Sequence, residues 1–370
     1  NIPTVSLVHE FSEYTRPIGK ITNTVFYADR LVVPANAIKE SIIRELKKYS
    51  SINVVPSNIV VQPQGSLPFI PEGHGELDSV EVLKTKLSIE NVDDYNILIG
   101  AGYVQIRKGV DLFISAAKKI KEISDKPCKF VWVGEGYSPQ DDLGYSNWLE
   151  TQITINNLVD DVVFLGHQRN LNNIMQLADV FCLTSRLDPF PNVVIDALTA
   201  DVHVACFDQS TGCAEFLLEN SANATVCDYL DIEQYANGVA TYLNGNERFI
   251  NKNKALVAEK LNFKTYTKFI EQELAKASEF SDKANVITKH LEKQKIFNTK
   301  FYNPSLEANV ALKRYVELGL KGIHLHNPAP GFNEFKWLQD NSNHNPYVVP
   351  LFEANTDKLL STHNVIKVAP

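Results

Sequence analysis

Apolar residues in this chain fall into short unbroken runs, separated by longer stretches in which they recur every three or four positions. The runs read as strands buried on both faces, and the stretches between them as amphipathic helices. Six runs follow one another in the middle of the chain, at residues 96–100, 129–133, 162–165, 180–183, 202–207 and 224–227. Helical spacing lies between them, with Val110, Phe113, Ile114, Ala117 and Ile120 on one face and Leu171, Ile174, Met175 and Ala178 on another. Strand and helix in alternation predict a parallel, doubly wound α/β sheet. Right-handed crossovers then bring every strand's carboxyl end to one rim.

Three further strands precede this block, at residues 4–8, 28–33 and 59–62. Asn36 is a suitable N-cap for a helix carrying Ile38, Ile42, Ile43 and Leu46 on one side. Three βα units make half of a doubly wound domain, so an incomplete N-terminal Rossmann-like domain is expected. Residues 72–95, rich in Glu, Gly and Asp, lack periodicity at first and read as the crossover between domains. Residues 262–280 read as a long helix with Phe263, Tyr266, Ile270 and Leu274 on one face. The remainder contains a predicted helix through 315–319 and the stretch Asn327-Pro-Ala-Pro-Gly-Phe332. The expected divisions are residues 1–90, 91–280 and an appended, mainly helical or irregular region at 281–370.

A net charge of −8 gives no basic excess for nucleic acid or anionic lipid. Cys128, Cys182, Cys206, Cys213 and Cys227 form no Cys-x-x-Cys pair. An odd number of thiols, most of them in apolar strand-like runs, predicts reduced core cysteines and not disulfides or a zinc site. No apolar run approaches the roughly 20 residues needed to cross a bilayer. The expected protein is cytoplasmic, with peripheral association with the inner face of a membrane left open.

The candidate chemistry gathers where the predicted strands end. After the strand at 180–183 comes Ser185-Arg-Leu-Asp188-Pro-Phe190-Pro191-Asn192-Val193, leading into a helix that carries Asp196 and Ala197. Pro191 or Asn192 can start that helix, whose free N–H groups and positive end suit a phosphate. A carboxylate further along can take the two hydroxyls of a ribose. After the strand at 96–100 come Arg107, Lys108 and Gly109, with Asp111 just beyond. Two adjacent cations at a helix start call for an anion, and together they offer a forked and a point-charge contact to a diphosphate. Gly134-Glu135-Gly136 lets backbone approach a ligand, Gly166-His167 closes the third strand, and Glu215 lies in the loop and helix start after the fifth.

The motif from Ser185 to Ala197 resembles the signature of retaining GT-B glycosyltransferases of family 4, Ser-x-x-Glu-x-Phe-(Gly/Pro)-x-x-x-x-Glu-Ala. Asp188 and Asp196 stand in place of its two glutamates. The resemblance implies two Rossmann-like domains. It implies Asp188 at the sugar, Asp196 at the ribose and Lys108-Gly109 at the diphosphate. It also implies His9, after the first strand and beside Glu10, facing the donor sugar, and His167 near the nucleotide base. The family's arginine falls on Gly102 or Tyr103 and is missing, so Arg107 is inferred to substitute for it. The expected reaction is metal-independent transfer of a sugar, with retention, from a nucleotide diphosphate-sugar to an oligo- or polysaccharide acceptor in bacterial surface polysaccharide synthesis. A lipid-linked acceptor is left open, and no cofactor is expected. The alternative is a catalytically degenerate module that binds nucleotide-sugar or glycan, or scaffolds a larger assembly.

Overall fold

The computed structural model describes residues 2–50, 55–66, 76–168, 171–245, 250–294 and 297–326. These fall into two compact units. One is built from the chain up to Gln62 and from Thr267 onward, the other from Pro63 to Tyr266.

The second unit carries the doubly wound sheet. After α3 (Glu76–Leu87), its strands and helices are β4 (Asn96–Ala101), α4 (Val110–Ile123), β5 (Cys128–Val133), α5 (Tyr145–Ile155), β6 (Val162–Gly166), α6 (Leu171–Met175), β7 (Val180–Leu183), α7 (Asn192–Thr199), β8 (His203–Phe207), α8 (Gly212–Glu219), β9 (Ala224–Cys227), α9 (Ile232–Asn244) and α10 (Lys252–Lys260). The sheet order is β6-β5-β4-β7-β8-β9, and every pairing is parallel. Strands β4, β5, β7 and β8 are buried at every position. That is why their sequences are mostly apolar and do not alternate. Phe113 of α4 packs edge-on against Trp132 and Phe130 of β5, with ring centroids 5.4 and 6.2 Å apart. Tyr235 of α9 is fully buried against Phe207. The five cysteines are free and buried, and burial raises their thiol pKa values, that of Cys182 to about 12.

The chain winds outward in both directions from β4 and β7. Sequential strands continue to β5 and β6 on one side and to β8 and β9 on the other. The gap above the carboxyl ends of β4 and β7 is therefore the topological switch point, where open α/β sheets bind ligands.

The first unit contains a three-stranded parallel sheet in the order β1-β2-β3, from β1 (Val5–Leu7), β2 (Arg30–Val33) and β3 (Ile59–Val61). Helices α1 (Lys20–Tyr27) and α2 (Asn36–Ser50) connect them, and α2 buries Ile38, Ile42 and Leu46. The long helix α11 (Phe263–Gln294) is followed by α12 (Thr299–Tyr302) and α13 (Ala308–Leu320). Arg30 of β2 pairs with the buried Glu273 of α11 at 2.6 Å, and the buried Lys321 donates to the carbonyl of Phe26 at 2.6 Å. Residues 281–326, expected as an appended region, thus pack within the first unit. The Asn327–Phe332 motif lies outside the described residues.

Within the stretch 72–95, read as the crossover between domains, α3 occupies residues 76–87 and buries Leu83 and Leu87. Leu77, Val80, Leu83 and Leu87 recur there at helical spacing, with Val82 off that face.

Candidate active site

Two loops face each other across the switch point. The first runs from β4 to α4 and contains a short 3₁₀ turn, Ile106–Lys108, closed by Gly109 at φ +67°. A Cβ at Gly109 would sit 2.0 Å from the carbonyl oxygen of Thr184, so the left-handed backbone and the close approach both require glycine. The Thr184 hydroxyl donates to the Gly109 carbonyl at 2.9 Å. The second loop is the β7–α7 turn. Its backbone is fixed on one side by Arg186 N–H on the Arg107 carbonyl (2.8 Å). On the other, Asp188 N–H donates to Ser210 O (2.7 Å) and Gly212 N–H to Pro189 O (2.8 Å).

These constraints bring Lys108 onto Asp188. The ammonium donates to Oδ2 of the carboxylate, and the buried Ser185 hydroxyl donates to the same oxygen at 3.2 Å. Asp188 is 4% exposed, and Oδ1 receives no hydrogen bond from a described residue. The carboxylate is therefore neutralised by one cation and retains an oxygen for a further donor. Phe190 is buried edge-on against Phe216, and Pro191 is the N-cap residue of α7.

Asp196 has a different environment. It lies one turn into α7, half-buried, with no hydrogen bond or ion pair to its side chain among the described residues. Burial raises its carboxyl pKa above the ordinary value. A desolvated, unpaired carboxylate is a strong acceptor for hydroxyl groups brought by a ligand.

Sequence reading misses two contributors. Arg186, inside the motif, forks onto Asp111 at 2.6 and 2.8 Å and also donates to the Ile106 carbonyl at 2.8 Å. Burial works against the charged form of Asp111, but hydrogen bonds from Arg186 and Tyr145 and the Arg186 charge outweigh it. They hold the carboxyl below the usual carboxylate range. Gln64 donates to Phe190 O at 2.6 Å and to Asn192 Oδ1 at 3.0 Å, tying the segment after β3 to the start of α7. Only the Pro63-Gln-Gly65 step hints at Gln64, and nothing local marks Arg186.

The other expected residues are distributed as follows. Arg107 is half-buried beside Lys108. Asn192 is exposed and Val193 half-buried at the start of α7. Gly134 packs against the neighbouring loop, where a Cβ would meet Gly102 O at 2.0 Å, and its N–H donates to Gly166 O at 2.9 Å. His167 is exposed after β6, and Glu215 lies in the first turn of α8. His9 is exposed after β1 on the first unit.

Residues 84–258 match the family model described as glycosyl transferases group 1. An alpha-galactosylglucosyldiacylglycerol synthase of Streptococcus pneumoniae is 28% identical over 171 residues, 44% of this chain and 43% of that protein. An uncharacterized glycosyltransferase of Haemophilus influenzae is 23% identical over 41% of each chain. The matched segment thus spans less than half the length of these two curated relatives. Among solved structures, Anabaena HepE in complex with UDP and glucose superposes with a TM-score of 0.55 at 18% identity, covering 74% of this chain and 71% of that one. Staphylococcus aureus TarM, crystallised with UDP, fondaparinux and alpha-GlcNAc-glycerol, gives 0.54 at 17% identity over 73% and 50%. The chain therefore has the GT-B fold, and its residues 84–258 are similar to the group 1 glycosyl transferases.

Proposed function

We propose that the protein transfers a sugar, with retention and without a metal ion, from a nucleoside diphosphate-sugar to a glycan or glycolipid acceptor. The observation that carries this reading is the Lys108–Ser185–Asp188 cluster at the switch point, with the unpaired Asp196 further along the same helix. The diphosphate would lie over the start of α7, where the helix N–H groups, Lys108 and Arg107 supply positive charge. Asp196 would accept the ribose hydroxyls. The Lys108 ammonium would turn from Asp188 to a phosphate oxygen, freeing Asp188 for a sugar hydroxyl or the electron-poor anomeric carbon.

In the reaction, the bond from the anomeric carbon to the diphosphate oxygen breaks, and its electron pair leaves with the diphosphate. The acceptor hydroxyl forms the new bond on the same face, and its proton passes to the departing phosphate oxygen. Preorganised charge around the diphosphate is the main catalytic contribution of the protein. UDP and UDP-glucose complexes of HepE support a UDP-sugar donor, and the S. pneumoniae alpha-galactosylglucosyldiacylglycerol synthase keeps a lipid acceptor in play beside a glycan. His9 is proposed at the donor sugar and His167 near the base. A role in surface polysaccharide synthesis is part of the proposal.

The test is a screen of UDP-, GDP-, CMP- and dTDP-sugars for hydrolysis and transfer in EDTA, with the anomeric configuration of the product read by NMR. Turnover with one donor class and a retained configuration is expected. Binding without turnover of any donor would establish the degenerate-module alternative, and an absolute need for a divalent ion would remove the charge scheme.

A further inference from the structure

The two loops at the switch point exchange charge in both directions. Lys108 of the first loop pairs with Asp188 of the second, and Arg186 of the second forks onto Asp111 of the first. Arg186 does more than close a second ion pair. Its Nη1 donates to Ile106 O and its backbone N–H to Arg107 O, both at 2.8 Å. One residue thus holds the 3₁₀ turn at its first and second carbonyls and, through Asp111, just beyond its end. Lys108 lies between these fixed points.

The hold is itself supported. Asp111 is 5% exposed and takes a hydrogen bond from Tyr145 Oη at 2.7 Å, while Gln152 donates to its carbonyl at 2.9 Å. On the outer side, Tyr229 Oη donates to the Arg186 carbonyl at 3.2 Å. With two guanidinium nitrogens engaged by Asp111 and one of them shared with Ile106 O, a lysine ammonium would not reproduce the pattern.

We infer that Arg186 is the positioning residue for Lys108: it fixes segment 106–111 so that the Lys108 ammonium reaches Asp188 and the space over α7, without itself touching substrate. The inference rests on the glycosyltransferase reading for its catalytic consequence, but its structural content can be measured separately. A residue that acts through Lys108 loses its effect when Lys108 is gone, whereas a general structural role or direct substrate contact adds to that loss.

The experiment has two arms, each on the full chain. In the first, acetylation of Lys108 by N-hydroxysuccinimidyl acetate is followed by peptide mass spectrometry. Arg186→Ala should release Lys108 and raise its rate by about fivefold, the order expected when a charge-assisted contact is lost. In the second, donor turnover is measured for Arg186→Ala, Arg186→Lys, Lys108→Met and the Arg186→Ala/Lys108→Met double variant. Arg186→Ala should lower kcat by about 30-fold with less than about a threefold change in donor KM, and Arg186→Lys should recover little. In the Lys108→Met background the same change should cost less than about twofold. Unchanged Lys108 acetylation, or additive losses in the double variant, overturns the inference. Wild-type protein that turns over no nucleotide-sugar removes the transferase reading instead, and acetylation still decides the positioning claim.

Discussion

The two halves of the second unit's rim are built differently. At β4 and β7 the loops are tied by side chains, with two crossed ion pairs, a buried serine and a carboxylate that keeps one oxygen available. At β5 and β6 the loops meet through backbone. Gly102 N–H donates to Val133 O, Val104 N–H to Glu135 O and Gly134 N–H to Gly166 O, with Tyr137 stacked on Phe164 beneath. The contrast teaches a division of labour. Under the proposed function, charge that changes partner during the reaction would sit at the switch point, and shape that receives a flat, uncharged group beside it.

The sharpest way to break this contrast is to remove the mobile charge. Lys108→Met is expected to lower donor turnover by about 10²- to 10³-fold, the range for one preorganised electrostatic contact. Turnover within a factor of three of wild type would sink the division. The same substitution leaves Asp188 buried without its cation, so a loss of about 2–4 kcal/mol in urea unfolding should accompany it.

On the backbone half, the analogous break is steric. Gly134→Ala places a Cβ 2.0 Å from the Gly102 carbonyl at φ +150°, and about 3 kcal/mol or more of stability should be lost. A well-folded variant with the wild-type melting temperature would show that the two loops are not held in contact as described.

Asp196→Asn sharpens the picture from within the charged half. The folded-state carboxyl pKa is raised, so the folded protein binds more protons than the unfolded chain just above the ordinary Asp value, and stability falls as pH rises through that window. At neutral pH the cost is fully present and Asn removes it. The variant should melt about 1–3 °C higher while its donor KM rises by about tenfold. A lower melting temperature, or an unchanged KM, would contradict the assignment of an unpaired carboxylate kept for a ligand. The smallest effect is expected at His167→Ala. The side chain is exposed on the backbone half, so stability should change by no more than about 0.5 kcal/mol and donor KM by less than about threefold. A tenfold rise in KM would give the His167 ring a role that backbone shape alone does not supply.

How much of this was legible beforehand depended on sequence distance. The six strands are legible from their unbroken apolar runs, and the switch point follows from their alternation with helices. Lys108, Ser185, Asp188 and Asp196 were each visible because a turn, a helix start and a fixed spacing surrounded them. What pairs with what was not visible. Arg186 finds Asp111 75 positions away, and Gln64 reaches Phe190 across 126. No local pattern encodes such partners. The adjacent cations Arg107 and Lys108 invite one shared role, and the 3₁₀ turn closed by Gly109 directs Lys108 to Asp188. Helix α3 is harder to read for the opposite reason: a Gly- and Glu-rich stretch precedes it and Val82 blurs its apolar spacing, while its place is set by burying Leu83 and Leu87.

In a crystal structure of the protein with UDP, grown in EDTA, the diphosphate is expected over the start of α7, with the Lys108 ammonium moved from Asp188 to a phosphate oxygen and the ribose hydroxyls on Asp196. UDP bound elsewhere, or bound there with Lys108 still on Asp188 and no contact to Asp196, would contradict this expectation.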